Sequence, residues 1–131
     1  RNLTDDQLRA IAATGGVICV NFFAPFLADT PQHHTLDRLI DHIAHIAAIA
    51  GIDHVGLGPD FVREVIHDTT PPCCEDTAPD GLDATAAIPG LDGPRGLPMV
   101  TEALLRRGLP EEDILKILGG NVRRLFQREL R

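Results

Sequence analysis

The stretch HVGLGPDF, residues 54–61, ends an apolar run with a glycine, a proline and a single acid. A short apolar run bounded by turn residues predicts a strand that is buried on both faces. Gly58 allows a close backbone approach, and Pro59 stiffens the chain before Asp60. Because enzymes built on parallel sheets carry their chemistry where strands end, Asp60 is a candidate catalytic group. On position alone, a turn residue or a helix cap explains this aspartate equally well.

A second apolar run, VICVNFF at residues 17–23, is rich in β-branched residues and has glycine before it and proline soon after it. It predicts another strand that is buried on both faces. Cys19 lies inside this run and is expected to be a small core residue. Asn21 stands near the end of the run, as Asp60 does in the other strand. We therefore expect both side chains at the rim of one site.

Two helices are predicted around the first strand. Residues 4–14 begin with Thr4 and Gln7 at the spacing of a capping box. Residues 35–50 carry a clear amphipathic pattern, in which the apolar side chains cover about one third of the helical wheel. These apolar side chains are Leu36, Leu39, Ile40, Ile43, Ile46, Ala47 and Ala50.

The second half of the chain begins with a long segment without periodicity, residues 63–98, which is rich in proline and glycine. A loop of this length in a compact domain is typically a lid, a binding loop or a disordered segment. Two helices are predicted beyond it, at residues 97–108 and 110–126. The last helix is expected to carry Pro110 in its first turn.

Helix and strand alternate along the chain, which predicts an α/β fold with a parallel sheet. Because two strands alone do not form a stable sheet, we expect the chain to be the last quarter of a larger barrel or doubly wound sheet. The chain begins with Arg1 and has its single methionine at Met99, so residue 1 is not expected to be a translation start. We therefore interpret residues 1–131 as the C-terminal fragment of one domain.

The composition bounds the partners. A formal net charge of −7 argues against nucleic acid, whose phosphates require clustered Lys and Arg. No apolar stretch has the length of a membrane span, and no signal-peptide pattern is visible, so no membrane partner is expected. The three cysteines, Cys19, Cys73 and Cys74, are a poor disulfide framework. We therefore expect a cytoplasmic location.

Four histidines, His33, His34, His42 and His45, have the short spacing of metal ligands. On the helical wheel, His42 lies about 100° and His45 about 160° from the centre of the apolar stripe. Both are therefore expected on the outer face of the helix, away from the strand ends where barrel enzymes bind ligands. No metal ligand is assigned within the chain.

Four stretches, in this order, resemble the C-terminal part of the membrane (renal-type) dipeptidases, peptidase family M19. They are RNLTDDQLRAIAATGGVICVNFF (1–23), LDRLIDHIAHIAAIAGIDHVGLGPDF (36–61), IPGL (88–91) and EALLRRGLPEEDILKILGGNVRRLF (102–126). The resemblance implies a (β/α)8 TIM barrel of the metallo-dependent hydrolase type with two zinc ions. It also implies that all the zinc ligands precede Arg1. This chain would then supply strands seven and eight with their flanking helices.

The resemblance also implies roles for individual residues. Arg1 would bind the carboxylate of the substrate, and Asp60 would move protons beside the reacting water. Phe26 lies near a position where the family often has a tyrosine in the substrate pocket. Asn21 is assigned to substrate binding from its position at the rim of the expected site and not from the resemblance. The family commonly reads Gly-Gly-Asp-Phe-Asp-Gly after strand eight, whereas this chain has Pro59 and Val62 in that motif.

We therefore expect a zinc-dependent hydrolase that cleaves a dipeptide or a related small amide with metal-activated water. The chain alone would lack the metal-ligand half and be inactive. One alternative is a non-catalytic half-barrel module that pairs with another chain or with itself through exposed strand edges. Another is a different amidohydrolase-like barrel enzyme with lactonase or deaminase chemistry. Size-exclusion chromatography tests the first alternative, and the sequence upstream of Arg1 tests the second.

Overall fold

The computed structural model describes residues 2–61 and 86–130, which form a mixed α/β structure. The helices and strands are α1 (Asp5–Ala13), β1 (Ile18–Asn21), α2 (Leu36–Ala50), β2 (Val55–Gly58), α3 (Leu97–Arg106), α4 (Glu111–Leu115) and α5 (Asn121–Glu129). Short 3-10 turns occupy Ala24–Phe26, Pro31–His33, Ile52–His54 and Pro94–Gly96. No helix in the described ranges is long and apolar enough to cross a membrane.

The two strands lie side by side in parallel, with α2 as the crossover between them. Ile18 is opposite Val55, and Asn21 is opposite Gly58. This confirms the predicted α/β arrangement, although each strand has four residues and β1 is shorter than the apolar run at residues 17–23. The second strand stops before Pro59, which has no backbone N–H to donate to a neighbouring strand.

The prediction that the first strand is buried on both faces is wrong. Ile18 and Val20 are buried, but Cys19 between them is exposed and is not a core residue. Successive side chains of a strand point to opposite faces of the sheet. The described residues cover only the face that carries Ile18 and Val20, so the intervening cysteine is left uncovered.

Both predicted helices around β1 are confirmed. Thr4 accepts a hydrogen bond from the backbone N–H of Gln7, and the Gln7 side chain accepts one from the N–H of Thr4, which completes the capping box of α1. The apolar stripe of α2 faces the core, where Leu39 and Ile43 are fully buried. The core around them contains Val20, Phe22, Ala24, Leu27, Ile40, Val55, Ile88, Leu91, Val100, Ala103, Leu104, Ile114 and Ile117.

The C-terminal end of the predicted loop contributes to this core. Ile88 and Leu91 are buried, and the N–H of Leu91 donates to the carbonyl of Ile88 to close a turn. Helix α3 then begins at Leu97, as predicted. Residues 62–85, which include the rest of the predicted loop, lie outside the described residues.

The last predicted helix is not continuous, so that prediction is wrong in its middle. Pro110 caps the helix from outside rather than standing in its first turn, and Lys116–Gly120 is a π-helical segment between α4 and α5. Gly119 leaves the helical conformation with φ 157°. A pair of glycines is a common cause of such kinks because glycine adopts this backbone at little steric cost.

Asn121, the first residue of α5, is a structural residue that the sequence patterns did not indicate. It is the buried polar residue of the described core, with 2% of its surface exposed. Its Nδ2 donates to the carbonyls of Ile52 and Val55, each at 2.8 Å. The kink therefore brings an amide to the start of β2, where both of its N–H groups find acceptors.

Replacing Asn121 with Leu keeps the size of the side chain but removes both donors. One buried carbonyl, that of Val55, and one partly buried carbonyl, that of Ile52, then lose the Asn121 donor, and we expect the free energy of unfolding to fall by about 2–4 kcal/mol. Urea unfolding of the protein measures the change. The control is Gln127→Leu, an exposed position on the same helix, and an equal loss in both variants would contradict the role of Asn121.

A second prediction concerns two glycines of one turn. A Cβ on Gly96 would lie 2.3 Å from the carbonyl oxygen of Gly90, whereas a Cβ on Gly93 would meet nothing within 4 Å. We expect Gly96→Ala to lower the free energy of unfolding by about 1–3 kcal/mol. Gly93→Ala should change it by less than about 0.5 kcal/mol. Thermal unfolding compares the two variants, and equal melting temperatures would refute the close approach.

Candidate active site

The parallel register brings together two residues that are 39 positions apart in the sequence. Asn21 ends β1, and Asp60 follows β2 after a single proline. The Nδ2 of Asn21 donates to Oδ2 of Asp60 at 3.0 Å. The structure thus places both predicted residues at one edge of the sheet, the edge where the two strands end.

The side chain of Asn21 is held from its other end. Its Oδ1 accepts a hydrogen bond from the backbone N–H of Phe23 at 2.7 Å. This is the local turn that asparagine favours, in which the side-chain oxygen accepts from the backbone N–H two residues further along the chain. The turn leads the chain away from the sheet and leaves the amide nitrogen of Asn21 facing Asp60.

Asp60 is exposed and has an uncommon backbone conformation. Its φ is 56°, and it is the only residue other than glycine with positive φ in the described ranges. Aspartate enters this left-handed region more readily than most residues because its short polar side chain bonds locally. Such strain is often found at functional sites. The conformation directs the carboxylate toward Asn21.

Two aromatic pairs lie in the segments that follow the strands. The rings of Phe22 and Phe61 meet edge to face, with centroids 5.9 Å apart. The rings of Phe23 and Phe26 do the same at 4.8 Å. Offset and edge-to-face contacts of this kind stabilise aromatic pairs beyond their burial. The first pair joins the segment after β1 to Phe61, the residue that follows Asp60.

Phe26, a predicted substrate contact, is half-buried in the turn after β1. With Asn2, Asn21 and His42 it lines a cavity of about 230 Å³. The Nδ2 of Asn2 donates to the carbonyl of Phe26 at 2.8 Å. Arg1 itself lies outside the described residues, but this hydrogen bond anchors the residue next to it beside the loop that carries Phe26.

The histidines of the described chain have local partners. His42 contacts the carbonyl of Leu27 through Nε2 at 3.0 Å, and His45 contacts the carboxylate of Asp5 at 2.8 Å. His45 is exposed, as the helical wheel predicted, whereas His42 is half-buried against the loop after β1. These contacts attach α2 to its neighbours. They give the histidines a structural role.

The described part of the chain does not form a metal centre by itself. Within residues 2–61 and 86–130, no three side chains of His, Cys, Asp or Glu come together in a way that could hold a metal ion. The paired cysteines, Cys73 and Cys74, lie outside these ranges. Asp60 therefore brings one carboxylate to the strand ends without a second ligand from the described residues.

Cys19 lies within β1, two residues before Asn21, and its exposure was not predicted from the sequence. It lines the same cavity as Asn21 and Phe26. Partial burial of its thiol raises the pKa above the ordinary value for cysteine, although part of the side chain is exposed. The thiol therefore stays protonated at neutral pH, which makes it a poor nucleophile.

Comparison with known proteins places this geometry in a family. The model of the membrane dipeptidases, peptidase family M19, matches residues 1–70, more than half of the 131 residues. An uncharacterised dipeptidase of Schizosaccharomyces pombe is 33% identical over 128 residues, which are 97% of this chain and 26% of that protein.

Two solved structures share the fold of the chain. An amidohydrolase from Pseudomonas aeruginosa matches with TM-score 0.77 and 28% identity over 96% of this chain and 40% of its own. A metallopeptidase from Rhodobacter sphaeroides, solved with a phosphinate mimic of the dipeptide L-Ala-D-Ala, matches with TM-score 0.66 and 29% identity. That match covers 98% of this chain and 31% of the metallopeptidase.

The described residues form an α/β segment in which two neighbouring parallel strands end at a hydrogen-bonded amide and carboxylate. The chain belongs to the membrane dipeptidase family, peptidase family M19. It spans about a quarter of the length of the curated relative, 26%.

Proposed function

We propose that the full-length protein is a zinc-dependent dipeptidase-like hydrolase. Its barrel would have eight parallel strands, of which β1 and β2 are the seventh and eighth. Two observations support this position. The strands are parallel neighbours joined by a helical crossover, as consecutive barrel strands are, and the solved relatives align over nearly the whole chain.

The hydrogen bond between Asn21 and Asp60 is the observation that carries the proposal. It places an oriented carboxylate at the ends of two neighbouring parallel strands, where barrel enzymes carry their catalytic groups. A carboxylate in this position can take a proton from attacking water and return it to the amine that leaves when an amide is cleaved. We assign that role to Asp60.

The substrate of the proposed enzyme is a dipeptide or a related small amide. The Rhodobacter sphaeroides relative was solved with a dipeptide mimic, which supports this class. Arg1 would bind the substrate carboxylate through its planar guanidinium group, a geometry that suits two parallel hydrogen bonds. Phe26 would contact the substrate with its ring, since it lines the cavity beside β1.

Zinc enters the proposal through the family and not through the described residues. When bound, zinc makes water a stronger nucleophile at neutral pH. The described ranges contain no three side chains that could hold it, so they do not fit a zinc site on their own. We propose that the zinc ligands belong to parts of the full-length protein outside this chain.

We also propose a cytoplasmic location, as the composition of the chain predicts.

The role of Asp60 predicts a large kinetic effect. In the full-length protein, Asp60→Asn keeps the shape of the side chain and an oxygen that can accept the hydrogen bond from Asn21. It removes the carboxylate that would take a proton. We expect kcat for dipeptide hydrolysis to fall by about 10²–10⁴-fold. Steady-state kinetics measure it, with Glu102→Gln on the exposed side of α3 as the matched control. A loss of less than about threefold would remove Asp60 from the chemistry.

Because residues 2–61 and 86–130 contain no group of side chains that could hold a metal ion, we predict that the isolated chain is inactive. The isolated chain should hydrolyse no dipeptide and should retain less than one zinc ion per chain after dialysis. Circular dichroism checks that its helices have formed, and the full-length protein is the positive control. An active isolated chain loaded with zinc would contradict the proposed division of the site.

One alternative remains supported by a specific observation. The Pseudomonas aeruginosa relative is described as an amidohydrolase, a wider class than dipeptidase. Full-length protein assayed against dipeptides, lactones and amino-substituted heterocycles distinguishes the two substrate classes. A half-barrel module that pairs with another chain would instead elute as a complex in size-exclusion chromatography.

A further inference from the structure

Asn21 connects the backbone of its own loop to the side chain of Asp60. Its Oδ1 is taken by the N–H of Phe23 at 2.7 Å, and its Nδ2 reaches Asp60 Oδ2 at 3.0 Å. Because the backbone donor needs an acceptor, the oxygen of the amide must face Phe23. The nitrogen must then face Asp60, so the loop determines which end of the amide the carboxylate meets.

The carboxylate needs such a constraint because it is exposed. The terminal torsion of aspartate is broad, so a solvated carboxylate rotates and presents either oxygen to a substrate. The hydrogen bond from Asn21 holds Oδ2. Within residues 2–61 and 86–130 no donor reaches the other oxygen, Oδ1. The arrangement therefore leaves Oδ1 of Asp60 as the oxygen available for a proton.

We propose that Asn21 is a positioning residue that acts on the reaction through Asp60, rather than a substrate-binding residue. The proposal rests on the proposed function, since it needs Asp60 in the chemistry. Both polar ends of the Asn21 amide are engaged within the protein. Asn21 thus selects the reactive oxygen of Asp60 and fixes its direction at the end of the sheet.

Three roles for Asn21 make different predictions. A substrate contact affects KM, and its loss adds to the loss caused by a change at Asp60. If Asn21 only supports the turn, its replacement lowers stability, and activity tolerates any side chain that still accepts a hydrogen bond from the N–H of Phe23. If Asn21 positions Asp60, its replacement lowers kcat. This loss disappears in a variant in which Asp60 can no longer take a proton.

A double-mutant cycle in the full-length, zinc-loaded protein separates these roles. The variants are Asn21→Leu, Asp60→Asn and the combination of both, assayed with a dipeptide. We expect Asn21→Leu to lower kcat by about 10- to 100-fold, the range of one hydrogen bond to a charged group, with KM changed less than about twofold. In the Asp60→Asn background the same change should cost less than about twofold more.

Asn21→Asp tests the structural role directly. The new side chain still accepts from Phe23 but offers Asp60 an oxygen instead of a donor. We expect a melting temperature close to that of the parent protein and a loss of kcat at least as large as that of Asn21→Leu. Full activity in Asn21→Asp would show that the turn is the whole function of Asn21 and would overturn the proposal.

The remaining outcomes are also decisive. Additive losses in the cycle, or an Asn21→Leu variant that raises KM with unchanged kcat, would assign Asn21 to the substrate and overturn the proposal. If the activity of Asp60→Asn falls below detection, the kcat and KM values of Asn21→Leu and Asn21→Asp decide among the three roles. A fully active Asp60→Asn variant would remove Asp60 from the chemistry, and the positioning role with it, while the dipeptidase activity would stand. A parent full-length protein that hydrolyses no dipeptide would instead refute the proposed function.

Discussion

The parallel pairing of β1 and β2 is the constraint on which the rest of the site depends. Parallel strands end at the same edge of a sheet, so the pairing of Asn21 with Gly58 brings Asp60 within hydrogen-bond distance of Asn21. A shift of one residue in this register would turn every side chain of β1 to the opposite face. The buried Ile18 and Val20 oppose such a shift.

The start of β2, at the opposite end of the strand from the candidate site, is supported by helix α5. Asn121 binds the carbonyls of Ile52 and Val55 at the start of β2, and Arg124 donates to the carbonyl of Asp53 at 2.7 Å. The amino end of β2 is therefore attached to α5, while its carboxyl end carries the candidate site. Rigid elements that hold a site at one end are suited to precise placement of a carboxylate.

Much of the local structure could be predicted from the sequence, because it depends on neighbouring residues. The capping box of α1 and the apolar stripe of α2 are local patterns, and both were confirmed. The predictions were wrong where the structure depends on contacts between distant parts of the chain. Cys19 was expected in the core since it lies in an apolar run, but the described residues cover only one face of β1. Gly119 permits a kink, but only the packing of α5 shows that this kink brings Asn121 to β2.

The sequence by itself determined the order of helices and strands, the acid at the end of the second strand and the resemblance to the membrane dipeptidases. Only the tertiary structure decided that Asn21 donates to Asp60, that Cys19 is exposed and that Asn121 is buried with two acceptors. The hydrogen bonds of Asn21 and Asn121 join residues 39 or more positions apart. Periodicity and spacing describe a few turns of chain, whereas hydrogen bonds over such separations depend on strand register and helix packing.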